Sequence, residues 1–214
     1  MKRNAFTMIE LIMVIVVLGI LAGLALPRME RDLKQEAETN ILSAIQYTQN
    51  LALSDNKTDP RDTRWQQKLW MIEFTGGTDA FYTISSDEDK SGTVNKTECA
   101  IDPTNGKYMY NSSGAFSSMA SDESPNVFLG HKYGINSVTF SGTSCSNKHI
   151  AFDHLGRPHN GLATSSGVGS TIAGNDYATY MPADCTITFG FTDTSITPLI
   201  ITILTETGYA YITG

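Results

Sequence analysis

Cysteine is scarce. There are three in 214 residues, Cys99, Cys145 and Cys185, and no two form a C-x-x-C. That argues against a zinc ribbon. Basic charge is also short: 15 Lys and Arg against 22 Asp and Glu, a net charge of −7. A basic stripe for nucleic acid is missing, so DNA binding is disfavoured. There is no G-x-S-x-G, and the Gly-rich Gly167-Val168-Gly169-Ser170 lacks both a Walker lysine and a following helix pattern. His149, His154 and His159 are spaced by five, which suits neither a helix face nor a strand face. With Asp153 nearby they could form a metal site, but surface and turn histidines are the plainer reading. Trp65 and Trp70 read as packing groups at a helix–sheet junction. No catalytic constellation emerges, and the chain is not expected to be an enzyme.

What the chain does have is a charge-free run. From Leu11 to Leu26 most residues are Leu, Ile, Val or Met. Counted from Phe6, this is about long enough for one tilted bilayer crossing. Lys2 and Arg3 precede it, so the start should stay cytoplasmic and the remainder face outward. A secretory signal peptide needs an uninterrupted apolar region and a small-residue cleavage site. Gly23-Leu24-Ala25 is a poor site, and Glu10 breaks the apolar region. A plain anchor explains the length but leaves Glu10 without a purpose. An intramembrane carboxylate is costly and reads as functional, with a partner to be named.

The junction Ala5/Phe6-Thr7-Met8-Ile9-Glu10-Leu11 resembles the class III leader junction of type IV pilins and type II secretion pseudopilins. The resemblance implies cleavage after Ala5 by prepilin peptidase and N-methylation of Phe6. The matching assembly glutamate is Glu10, and the matching helix-bending residues are Gly19 and Pro27. The residue before the cut is usually Gly; Ala5 keeps a small side chain there. Cleavage creates an α-amine at the helix start. In a helical polymer that amine can meet Glu10 of a neighbouring subunit, so two costly intramembrane charges offset each other. Gly19 and Gly23 form a G-x-x-x-G that permits close helix approach, though Gly is common in membrane helices.

Beyond Pro27, residues 28–54 continue as an amphipathic helix. Leu33, Ala37, Ile41, Ala44, Ile45, Thr48, Leu51 and Ala52 recur at spacings of three and four. A polar loop with Pro60 follows. Short strands are expected at Leu69–Phe74, Ala80–Ser85, Lys107–Asn111, Ser137–Phe140, Lys148–Phe152, Cys185–Phe191, Leu199–Leu204 and Tyr209–Thr213. One long helix ahead of an antiparallel sheet is an α+β fold. The organisation expected is a leader at 1–5, a membrane and assembly segment at 6–27, an amphipathic segment at 28–54, and one periplasmic β-rich domain at 55–214. Outside the cytoplasm a disulfide is allowed. Of three conceivable pairs, Cys145–Cys185 is favoured because both flank strand-like segments; three buried thiols are the alternative. The pieces Ile150-Ala151-Phe152-Asp153, Gly156-Arg157, Ile201-Thr202-Ile203 and Thr207-Gly208-Tyr209 resemble the tail of GspH/FimT-like minor pseudopilins.

A second signal is Asp87-Glu88-Asp89-Lys90-Ser91-Gly92-Thr93-Val94-Asn95-Lys96-Thr97-Glu98. It fits the twelve-residue EF-hand loop. Asp87, Asp89 and Ser91 hold positions one, three and five, and Gly92 supplies the turn at six. Thr93 offers a carbonyl at seven, Asn95 sits at nine, and Glu98 is the bidentate carboxylate at twelve. Hard oxygen donors suit Ca²⁺. Phe81-Tyr82-Thr83-Ile84 before it looks like a strand, so a static site tying down a loop is expected, not a paired-helix sensor.

The resemblance implies a minor pilin or pseudopilin held in the inner membrane and then built into a fibre. Its partners would be other pilin subunits, prepilin peptidase and an inner-membrane assembly platform. A DNA-uptake minor pilin and a membrane-anchored periplasmic calcium-binding enzyme are the alternatives.

Overall fold

The computed structural model describes residues 7–62, 64–143, 145, 147–160 and 179–213, leaving aside the side chains of 22–32. The leader, the Ala5/Phe6 junction and the Gly167–Ser170 stretch lie outside the described residues.

Helix α1 runs over Met8–Ser54 without a break through Gly19 and Pro27. Thr7 opens it with a capping box. Its hydroxyl accepts from the Glu10 backbone N–H at 3.3 Å, and the Glu10 carboxylate accepts from the Thr7 N–H at 3.0 Å. Asp55 leaves helical geometry and ends it. Two surfaces result. Met8, Ile9, Leu11 to Leu18, Ile20 and Leu21 are all exposed. Among the described residues, no helix is long and apolar enough to cross a membrane. Towards the other end Ala37, Ile41, Ala44, Ile45 and Ala52 are buried, following the 3.6-residue period.

Among the described residues, eight strands form two antiparallel four-stranded sheets, where the sequence suggested a single sheet. The first contains β1 (Trp70–Thr75), β2 (Phe81–Ser85), β4 (His149–Phe152) and β5 (Pro158–His159), in the order β2-β1-β4-β5. The second contains β3 (Ile135–Ser141), β6 (Cys185–Phe191), β7 (Leu199–Ile203) and β8 (Ala210–Ile212), in the order β3-β6-β7-β8. The buried stripe of α1 packs on β1 and β4 of the first sheet and on β8 of the second. Phe74 of β1 joins the sheets, its ring 5.2 Å from Phe189 of β6 in edge-to-face contact.

The sheets differ on their outer sides. Behind the first sheet, Trp65 and Leu69 pack on Met71 and Ala151 in a small second cluster, so β4 is buried along its whole length. In the second sheet β6 alternates strictly: it buries Cys185, Ile187, Phe189 and Phe191 and turns Thr186, Thr188 and Gly190 outward.

Lys107–Asn111 is not a strand. Tyr108 makes single bridges to Ile101 and to Glu123, so each side of the segment is paired once and no ladder forms. Side chains add to the backbone hydrogen bonds that hold this region. The buried Asp102 carboxylate accepts from Ser124 Oγ at 2.5 Å, Thr104 Oγ1 at 2.7 Å and Asn126 Nδ2 at 2.9 Å. A short helix absent from the sequence reading, α2 (Leu129–Tyr133), is stopped by Gly134 in the left-handed region at φ 72°.

Within α2, Gly130 touches the β1–β2 turn. A Cβ there would lie 2.4 Å from the Thr78 carbonyl oxygen and 2.6 Å from the Ala80 nitrogen, both backbone. Gly130→Ala is therefore expected to destabilise the domain by about 1–3 kcal/mol. An unchanged urea midpoint would contradict this packing.

Candidate functional site: the helix start and the 87–98 loop

Glu10 sits in the first turn of α1. Its carboxylate accepts from both the Thr7 N–H and the Thr7 hydroxyl, each at 3.0 Å. An anion there is favoured by the helix dipole. Glu10 is exposed and surrounded by exposed apolar residues, and among the described residues its hydrogen bonds are local. Gly19 lies on the same exposed stretch, with open space where a Cβ would be. Pro27 falls inside α1.

The 87–98 loop leaves the end of β2 and returns beside it. Ser86 N–H donates to the Glu98 carbonyl at 3.0 Å, and Ser85 bridges Cys99. Asp87, Asp89 and Glu98 each present a carboxylate oxygen, and these lie within 4.8 Å of one another. Among the described residues this is the one such cluster of possible metal ligands. Asp87 is fully buried; Glu98 is half-buried and Asp89 exposed. Backbone N–H groups organise the cluster: Ser91 and Gly92 donate to Asp87 at 3.1 and 2.8 Å, and Asp89 donates to Glu98 at 3.3 Å. Gly92 makes the turn at φ 76°. Ser91, Thr93 and Asn95 are in the same loop but spend their oxygens internally. Ser91 Oγ donates to the Thr93 carbonyl at 3.0 Å, and Asn95 and Glu98 form a reciprocal capping box.

Burial, reinforced by the neighbouring Asp89 and Glu98, raises the pKa of Asp87 above the usual carboxylate range. Hydrogen bonds from Ser91 hold Asp89 below it. Three convergent carboxylates, one of them desolvated, form a donor set of hard oxygens that fits a Ca²⁺ ion.

The loop's other charges point away from this cluster. Glu88 pairs with Lys57 just beyond α1. Lys90 reaches Asp62 at 2.6 Å, and Lys96 bridges Asp122 at 2.9 Å and the buried Glu123 at 3.2 Å. Val94, at loop position eight, packs on the Trp65 cluster. Sequence reading singled out the inward carboxylates but not these braces, because their partners lie on distant segments.

The histidines do not converge on a metal. His154 Nδ1 is 3.1 Å from Thr58 Oγ1. His159 is buried between Thr179 Oγ1 at 2.8 Å and Asp153 at 3.5 Å. Arg157 also pairs with Asp153 at 2.6 Å. Cys145 and Cys185 are joined in a disulfide with Cα atoms 5.4 Å apart, and Cys99 is a buried free thiol.

Residues 1–26 match a family described as the prokaryotic N-terminal methylation motif. The chain thus carries the type IV pilin and pseudopilin signal at its start, the mark of a pilin-like precursor. No curated protein and no solved structure matches the chain significantly.

Burial pushes the His149 pKa down to about 4. An unfolded histidine titrates near about 6.5, so the unfolded chain binds the extra proton first. This contribution to stability is complete above that pH and is lost as pH falls towards 4. Burial alone would raise the Asp153 pKa, but hydrogen bonds from His159 and Arg157 outweigh it and hold the carboxyl well below its usual range. Its contribution is lost only below about pH 4. Melting temperature should therefore fall in two successive windows on acidification. His149→Gln should flatten the first and leave the second; an unchanged profile would contradict the assignment.

Proposed function

We propose that the chain is a minor pilin or pseudopilin: cleaved after Ala5, N-methylated at Phe6, held in the inner membrane by the first half of α1, and polymerised through that helix. The observation that carries this reading is the methylation motif at residues 1–26. Two features support it. Glu10 stands in an exposed apolar stretch with no long-range partner among the described residues, which suits pairing with the new amine of a neighbouring subunit. The apolar stripe of α1 is open along the segment that would meet other helices. A minor rank, of the GspH/FimT-like kind, rests on the tail pieces around Phe152, Ile201 and Gly208. The role is structural, and growth of the fibre would be driven by other components of the machine.

N-terminal mass spectrometry of membrane-extracted protein tests this reading. A mature chain starting at methylated Phe6 is expected. An intact Met1 in cells carrying the peptidase would overturn it. Glu10→Leu should still be cleaved yet fail to enter the fibre.

The same reading gives the 87–98 loop a Ca²⁺ ion held by Asp87, Asp89 and Glu98, with Ser91, Thr93 and Asn95 completing the set once their internal hydrogen bonds exchange. The ion would offset repulsion among three carboxylates and fix the loop. Affinity on the order of 10⁻⁴ to 10⁻³ M, as in extracellular modules, is expected. Calcium should raise the melting temperature, and Asp87→Ala should abolish that rise. No shift at roughly millimolar calcium sinks the assignment.

A further inference from the structure

Between α1, β2 and the 102–109 segment lies a chamber of about 120 Å³. Neither helix assembly nor the 87–98 loop uses it. Asn40, Ala44 and Tyr47 line it from α1, Tyr82 from β2, and Asp102 and Met109 from the third side. Asn40, Ser43 and Thr104 also line a wider outer cleft, so the chamber opens there to solvent.

The charge in this wall is unbalanced. Asp102 is 2% exposed. Burial alone would raise its pKa, but hydrogen bonds from Ser124, Thr104 and Asn126 outweigh it and keep the group ionised. Its five hydrogen-bond donors, from Thr104, Asn105, Ser124 and Asn126, are all neutral. Among the described residues no Lys, Arg or His forms an ion pair with it. Lys132, on the outer cleft, lies over the Tyr133 ring at 5.2 Å. Burial, and then the Asp102 charge, raises the pKa of Tyr47 and Tyr82 in the same wall. Buried charges are ordinarily paired or hold a cation.

A second observation is independent of that charge. Asn40 Oδ1 is buried and accepts no hydrogen bond, while the amide nitrogen is engaged with the Tyr82 hydroxyl. An orphaned buried acceptor is costly, and a donor entering the chamber would relieve it.

Size and lining narrow the cation. Ala44, Pro103 and Met109 make much of the wall apolar. A Ca²⁺ ion takes about 6–8 oxygens, and here the Asp102 oxygens are already engaged. A quaternary ammonium has no N–H for Asn40. A guanidinium needs paired acceptors in one plane. A primary ammonium on a short alkyl chain brings the charge, the donor and an apolar stem. A cavity of about 150 Å³ holds benzene, so this one suits a chain of about five non-hydrogen atoms.

We propose that the chamber binds an aliphatic primary ammonium group, free or on a lysine side chain, donating to Asn40 Oδ1 with its charge offsetting Asp102. Thermal unfolding of the full-length protein in detergent tests this at neutral pH, with millimolar n-butylammonium chloride and, separately, Nα-acetyl-lysine methylamide. Both amines are protonated there, because such groups titrate near about 10.4. n-Butylammonium should raise the melting temperature, and n-butanol or sodium chloride at the same concentration should not. A rise with the lysine derivative as well extends the site to side chains of a partner; its absence restricts the site to free amines. Asn40→Leu removes the orphaned acceptor, so it should fold, and it should weaken amine binding about ten-fold or more. Asp102→Asn should weaken it similarly; if that variant does not fold, Asn40→Leu decides alone. No rise with n-butylammonium, an equal rise with n-butanol or sodium chloride, or an undiminished rise in folded Asn40→Leu overturns the proposal.

Discussion

Everything in this molecule is arranged around a helix that must satisfy two environments at once. The far half of α1 buries Ala37, Ile41, Ala44, Ile45 and Ala52 against both sheets, and the small side chains let the strands approach closely. The near half presents Met8 to Leu21 with no covering from the described residues. A single continuous helix therefore joins a completed core to an uncompleted one. Neither sheet has a full core without the helix, because its buried residues belong to the same cluster as Phe74, Phe152 and Ile203.

The 87–98 loop solves a related problem with charge. Twelve residues containing six formal charges would repel and wander if solvated at random. Here the charges divide by direction. Asp87, Asp89 and Glu98 face one another, while Glu88, Lys90 and Lys96 reach out to Lys57, Asp62 and the Asp122–Glu123 pair. The bracing pairs are individually modest because most are partly exposed. Their value is positional: the segment after α1 and the 120–124 turn are drawn to the same loop.

The helix, the α+β class and seven of the eight strands were legible in the sequence, because burial periodicity survives in the spacing of Ile41, Ile45 and Thr48 and in the alternation of Cys185 to Phe191. Periodicity identifies which face is buried, not which sheet a strand joins, so the split into two sheets was hidden. Lys107–Asn111 misled because Met109 is buried there as in a strand, while Tyr108 makes only single bridges and no ladder forms. The convergent carboxylates Asp87, Asp89 and Glu98 were legible by register alone. The contacts of His159 with Asp153, Thr179 and Gln66's network were not, since they unite residues as far apart as 113 positions.

One small contact bears on how the domain would carry load. Gln49, near the end of α1, donates from its single amide nitrogen to the Gly156 carbonyl at 2.9 Å and to the Thr207 carbonyl at 2.8 Å. Those two turns belong to different sheets. A pull applied at the opposite end of the helix thus arrives at a point where both sheets are gripped through their backbones. The load is shared as shear between them instead of peeling either one away.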